Sequence, residues 1–401
     1  MLFWNVFPYR MARFRLVCRA ALFLPIAVSV PSCAKRDSIG PADKPCPPLV
    51  EYYRMKTPDG LEDIDQASGL HYGSLGTREG LWLVCDRNSV AGGNRIFFFD
   101  RRQLATPRHD QNIAASGAFN IVGPPKGWDD FMAKHSTIEP AILAELRRQF
   151  ENGRARRKPI LDLEAITVGQ PNAPFVSGKK TPARLYAVAE QPHSLVLELQ
   201  LVENAGKTEA VLTDCFLYSE KSSEAGSDAN DGLEAIAWAG QPGLFFIAEE
   251  GTRPYRANDD MHFFDCPRLM RCRLKNAQVI VDEPWSERAT SNVRAFQDNS
   301  THTLNALARL DDRTLAAVDR NGGYILKIDI PTASAKRWLN LYESKGLNLR
   351  KKLAHFPATR RMPYVSIEGL ALDPQGNLWL IDDPAMPEAF RASALIRARE
   401  P

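Results

Sequence analysis

Ile367-Glu368-Gly369-Leu370-Ala371-Leu372-Asp373-Pro374-Gln375-Gly376-Asn377-Leu378-Trp379-Leu380-Ile381-Asp382-Asp383 is the stretch that decides the fold. It opens on an apolar residue, an acid and a small residue, turns at Pro374-Gln375-Gly376-Asn377, and returns as a strand-like run ending in acids. The opening recurs as Leu163-Glu164-Ala165-Ile166, Leu233-Glu234-Ala235-Ile236 and Leu304-Asn305-Ala306-Leu307, with Ser68-Gly69-Leu70 as a shorter fifth. A turn and a leucine-initiated run follow each time: Leu81 to Asp86, Leu185 to Glu190, Leu244 to Glu249, Leu315 to Asp319 and Leu378 to Asp382.

Two further strand-like runs follow inside the middle units, for example Leu195 to Leu199 and Val211 to Tyr218, so each unit holds four strands. Four-stranded sheets repeated around an axis are propeller blades. The pattern predicts an all-β, five-bladed β-propeller with openings spaced 63 to 96 residues apart; six blades stay open if residues 100–160 hide another. The last unit has only three strands, ending with Ala394 to Arg399, while Val50 to Lys56 precedes the first opening. These two ends are expected to share a blade, which hides the sheet edges at the seam. Ile142, Leu143, Leu146 and Phe150 fall on one helical face, predicting a helical insertion near residues 137–153 that begins at Pro140.

In a propeller the innermost strand of every blade lines the channel, so one repeat position becomes one ring. The first ring is Ser68, Glu164, Glu234, Asn305 and Glu368. A second follows from the ends of the next strands: Asp86, Glu190, Glu249 or Glu250, Asp319 or Arg320, and Asp382 or Asp383. Like charges held close either raise their pKa values or hold a cation. An oxygen-only donor set suits Ca2+ first and Mg2+ second. The bland reading of the first ring is glutamates that cap strand starts; for the second it is carboxylates in water. Arg320, where its counterparts are acidic, either neutralises neighbours or takes an anionic substrate group.

Arg10, Arg13, Arg15 and Arg19 precede the apolar run Ala20 to Val30, which is too short to span a bilayer. Residues 1–33 read as an export signal, starting at Met1 or Met11, with 34–48 as a Pro-rich linker and 49–401 as the propeller. Val30-Pro31-Ser32-Cys33 is similar to a lipobox, so the expected product is a periplasmic or outer-membrane lipoprotein anchored at Cys33, or a simply cleaved and secreted protein. Of seven cysteines, Cys266 and Cys272 are spaced to allow a bridge, and no pair of CxxC motifs marks zinc. A net charge of +3 demands no nucleic-acid partner. A monomer is expected, touching membrane only through the anchor.

The order SGL, DLEAI, GLEAI, LNAL, IEGLALDPQGNLWLIDD, from Ser68 to Asp383, resembles the SdiA-regulated family of bacterial exported proteins, and secondly the esterase-like phytase family. The resemblance implies a five-bladed propeller with a calcium site at Glu164, Glu234 and Glu368, and more weakly at Glu190 and Glu249. Ala165 and Ala235 stand where the first family carries glycine.

Two functions fit. One is a metal-dependent hydrolase of phosphoesters or carboxyl esters, with Glu190 or Glu249 activating water. The other is a non-catalytic propeller whose channel takes a protein, glycan or small ligand. No GxSxG elbow, HExxH or phosphate-binding Gly-rich loop is present. The basic run Arg350 to Arg361 and His71, His193 and His302 flank the repeats without forming a motif.

Overall fold

Residues 81 to 85 show how the fold is made. Leu81, Leu83 and Cys85 enter one apolar core, while Trp82 and Val84, alternating with them, enter another. A strand whose two faces are both covered must be apolar at every position, because successive side chains point to opposite faces. Such strands recur as Arg184–Ala189, Leu244–Glu249, Thr314–Asp319 and Asn377–Asp382. The computed structural model describes residues 50–86, 94–105, 112–152, 161–171, 183–190, 193–218, 232–249, 255–257, 260–262, 267–295, 303–343, 346–349, 365–382 and 393–399.

The strands form five antiparallel four-stranded blades. Blade 1 runs Ala67–Leu75, Arg78–Cys85, Arg95–Asp100 and Gly117–Val122. Blade 2 runs Leu163–Gly169, Arg184–Ala189, Leu195–Asn204 and Lys207–Leu217. Blade 3 runs Leu233–Trp238, Leu244–Glu249, Leu269–Lys275 and Gln278–Val281, and blade 4 runs Leu304–Arg309, Thr314–Asp319, Tyr324–Asp329 and Ala335–Asn340. Blade 5 runs Ile367–Leu372, Asn377–Asp382 and Ala394–Arg399, and its outer strand is the N-terminal Val50–Lys56. The expected shared blade is therefore formed, with Glu51 opposite Arg397.

The inner strands pack side by side from blade 1 to blade 5 and back to blade 1, which closes the ring. Each of five apolar clusters fills one of the boundaries between neighbouring blades. Outer strands add parallel stitches: blade 2 pairs with blade 1 at Ala210↔Ile121 and with blade 3 at Leu217↔Gln278. The N-terminal strand likewise pairs with Asn112–Ala114.

Among the described residues, the stretch from 100 to 160 holds no sixth blade. Gly117–Val122 is the outer strand of blade 1, so the insertion lies between it and Leu163. It carries the helices Trp128–Lys134 and Pro140–Asn152. Ile142, Leu143, Leu146 and Phe150 join the core between blades 1 and 2, as their spacing predicts. His135, ending the first of these helices, is buried; its Nδ1 meets Phe131 O at 2.7 Å and its Nε2 meets Asp214 Oδ1 at 2.5 Å, tying the insertion to blade 2. A further helix, Glu283–Arg294, seats Trp285, Ala289 and Val293 between blades 3 and 4.

Among the described residues no helix is long and apolar enough to cross a membrane. Cys85, Cys215 and Cys272 are buried as free thiols. The signal and linker segments, Cys33, Glu250, Cys266, His302, the run Arg350 to Arg361 and Asp383 lie outside the described residues.

Candidate metal and substrate site in the channel

All five inner strands break register at the same place. The antiparallel ladder skips from Ala67 to Gly69, Leu163 to Ala165, Leu233 to Ala235, Leu304 to Ala306 and Ile367 to Gly369. The skipped residues are Ser68, Glu164, Glu234, Asn305 and Glu368, the five repeat positions. A bulge leaves one residue unpaired and re-aims its side chain. The small residue that follows is equally dictated by packing. A Cβ on Gly69 would stand 2.6 Å from Ala165 Cα, and one on Gly369 would stand 2.9 Å from Leu70 Cβ.

Blades 1 to 3 gather carboxylates. Oxygens of Asp162, Glu164 and Glu190 lie within 4.8 Å of one another. Burial pushes the Glu164 carboxyl well above the usual range, and Glu234, Asp162, Glu190 and Asp86 all push it further in the same direction. Glu190 is fixed by Gly232 N–H, which donates to its Oε1 at 3.0 Å, and its own N–H donates to Asp162 O at 2.9 Å. Asn305 donates from Nδ2 to Glu234 Oε2 at 3.4 Å, while its Oδ1 is buried with no hydrogen-bond partner among the described residues. Ser68 Oγ donates to Leu163 O at 2.5 Å, which clasps blade 1 to blade 2 beside Glu164 and commits the hydroxyl proton.

Blades 4 and 5 differ. Glu368 Oε1 accepts from Arg320 Nη1 and, at 2.7 Å, from Ser366 Oγ. Tyr342 pins this corner by donating to Arg320 O at 3.0 Å and Val365 O at 3.1 Å. Asp382 is buried, accepts from Ser366 N–H at 2.8 Å and has its carboxyl raised to about 7 by desolvation, with Glu368 adding to the rise. The first ring is thus polarised, carboxylate-rich on one side and neutralised by a guanidinium on the other.

The second ring resolves into two registers. Glu249, Asp319 and Asp382 oppose Leu233, Leu304 and Ile367 in the ladder. In blades 1 and 2 those places belong to Cys85 and Ala189, so Asp86 and Glu190 lie one residue further on, where blade 4 has Arg320. Glu190 therefore meets Glu164. Glu249 instead accepts from Tyr218 OH at 3.3 Å, and Asp319 Oδ1 accepts from Gly322 N–H at 2.7 Å. The residue that the repeat pattern missed is Asp162, two before the bulge. Its signal was the acid of DLEAI, which the other openings replace with Gln66, Gly232, Thr303 and Ser366.

Residues 63–384 match the family model described as phytase-like, esterase-like activity of phytase. The chain belongs to the phytase-like family. The family match spans all five inner strands and every ring position, and it is the second of the two resemblances that the motifs carry. No curated protein matches the chain. Among solved structures, a luciferin-regenerating enzyme is similar at 10% identity and a TM-score of 0.39, covering 88% of this chain and 95% of its own. The soluble aldose sugar dehydrogenase of Escherichia coli gives 10% and 0.37, covering 87% and 99%. The PQQ-bound aldose sugar dehydrogenase of Streptomyces coelicolor gives 8% and 0.35, covering 88% and 99%.

Proposed function

We propose that the channel is a calcium-dependent site for hydrolysis of an ester, with a phosphoester preferred to a carboxyl ester. The observation that carries this reading is the meeting of Asp162, Glu164 and Glu190 at one end of the bulge ring. It occurs in a chain whose family is described by esterase-like activity. The donor set fits calcium: it is all oxygen, Glu164 sits among carboxylates that oppose its ionisation, and Asn305 Oδ1 is an acceptor without a donor among the described residues. Asp162, Glu164, Glu234 and Asn305 would hold the ion, with Mg2+ as the second choice. The bound cation would offset the carboxylate charge and polarise an ester oxygen.

The remaining chemistry falls to the chain itself. Glu190, oriented by the Gly232 N–H on one oxygen, accepts a proton from the attacking water. Arg320 meets the anionic oxygens of the substrate. Ser68 keeps blades 1 and 2 in register, and Glu368 holds Arg320. The setting is an exported one, with or without a lipid anchor at Cys33, acting as a monomer on a small ligand.

The test is metal analysis of the purified protein, followed by turnover of an aryl phosphate and an aryl carboxylate with calcium, after calcium removal, and in Glu164→Gln. Calcium-dependent turnover that Glu164→Gln abolishes supports the reading. Calcium-dependent stability without any turnover favours a non-catalytic binding propeller, and no calcium effect at all overturns the metal site.

A further inference from the structure

A second recess lies at the far ends of the same strands. Tyr72 stands five residues beyond Ala67 on the inner strand of blade 1, and Asp373 follows the inner strand of blade 5. At about 3.3 Å per residue this places the recess well away from the bulge ring. Its volume is about 820 Å3, within the range of pockets that take small organic ligands. It straddles the seam of the ring. Arg101 and Arg102 come from the helix Arg101–Ala105 that follows the third strand of blade 1, and Arg397 and Arg399 come from the third strand of blade 5.

The lining is cationic. It contains four guanidinium groups and one carboxylate, Asp373. That carboxylate is occupied by its own turn, accepting from Gln375 N–H and Asn377 N–H at 2.9 Å each, from Asn377 Nδ2 at 2.6 Å and from Trp379 Nε1 at 2.9 Å. The acids that pair with three of the arginines stand outside the lining: Glu79 on Arg101 at 2.6 Å, Asp100 on Arg102 at 3.0 Å, and Glu51 on Arg397. Arg399 donates from Nε to the Asn377 amide at 2.9 Å and has no carboxylate partner among the described residues. Arg397 is buried in the wall, its Nη1 donating to Leu104 O at 3.0 Å.

We propose that this recess binds a small organic polyanion carrying at least two phosphate or carboxylate groups, which bridges Arg101 and Arg102 of blade 1 to Arg399 of blade 5. Planar guanidinium forks suit such groups, and two anionic ends match two arginine-bearing walls. Because blade 5 is closed by the N-terminal strand through Glu51 and Arg397, a ligand here also ties blade 1 to the closure.

The experiment is calorimetric titration of the full chain in divalent-free buffer with pyrophosphate and, separately, with citrate. Saturable binding of either, weakened at least tenfold by Arg399→Ala and by Arg102→Ala but unchanged in Arg320→Gln, is the expected result. Arg102 and Arg399 are exposed at the rim, so their removal leaves the fold intact. Binding of pyrophosphate alone assigns a phosphorylated ligand, and binding of citrate alone a carboxylated one. No binding of either overturns the site, as does binding indifferent to both arginines. Binding lost in Arg320→Gln moves the anion to the channel and also overturns it. Calcium-free conditions keep this outcome separate from the hydrolase reading.

Discussion

Arg320 Nη1 bonds Glu368 Oε1 across the boundary between blades 4 and 5, so a guanidinium occupies the place where blades 1 and 2 carry Asp86 and Glu190. One substitution separates its two roles. Arg320→Gln removes a positive charge from the side of the ring opposite the carboxylates, and with it a fork that recognises oxyanions. KM for an aryl phosphate is expected to rise on the order of tenfold, while turnover of a neutral aryl carboxylate changes little. Calcium should bind more tightly in the variant, because a like charge has left. Equal loss on both substrates would reduce Arg320 to a structural partner of Glu368.

Calcium and protons compete for the same oxygens. With its folded pKa raised, Glu164 contributes stability to the ion-free protein below the usual carboxylate pKa and loses it as pH rises through the folded value. The ion acts in the opposite direction, since it binds the ionised form. Calcium affinity should therefore increase with pH, and the rise in melting temperature on adding calcium should be greatest in alkaline buffer. In Glu164→Gln both trends should flatten, which titration calorimetry and melting curves at several pH values will read.

Asp382 gives a second pH signature, independent of the ion. Its pKa goes from 3.8 to about 7 on folding because desolvation opposes the charged form. The associated stability is present below pH about 4 and lost as pH rises through about 7. Asp382→Asn keeps an oxygen for Ser366 N–H and removes the charge. Urea unfolding should show the variant more stable than the parent by about 1–3 kcal/mol at pH 8, with the gain vanishing near pH 4. A variant less stable at pH 8 would mean that the buried amide costs more than the charge.

The repeat was legible because one packing problem recurs five times. An apolar residue, a bulged polar residue and a small residue are needed wherever an inner strand passes its neighbour, and each blade prints them. The shared fifth blade was legible from two orphan strands at the ends of the chain. Gly117–Val122 was not, since the edge strand of a blade is short and mixes Gly117, Asn120 and apolar residues without the core alternation. The helix Glu283–Arg294 escaped because Trp285, Ala289 and Val293 stand among polar residues in a unit already read as strand. At the site, Glu164, Glu234 and Asn305 could be listed from periodicity and are neighbours in space. Asp162 and Arg320 break the periodicity, so only coordinates show which blade each one serves.

Gly69 tests the packing argument for the motif itself. Blades 2, 3 and 4 accept alanine after the bulge, as Ala165, Ala235 and Ala306, yet blades 1 and 5 carry Gly69 and Gly369. The difference is the neighbour's distance: a Cβ at 69 would meet Ala165 Cα at 2.6 Å and Val84 Cγ2 at 2.7 Å, whereas one at 369 would meet Leu70 Cβ at 2.9 Å. Overpacking of this kind costs about 1–3 kcal/mol, and the upper end is expected where the opposing atom is backbone. Gly69→Ala should therefore destabilise more than Gly369→Ala in urea unfolding. Adding Ala165→Gly should not rescue Gly69→Ala, because the clash is with the Cα that glycine retains. Adding Val84→Ala should relieve only the side-chain part, and full recovery by either second change would show that the inner strands can move apart.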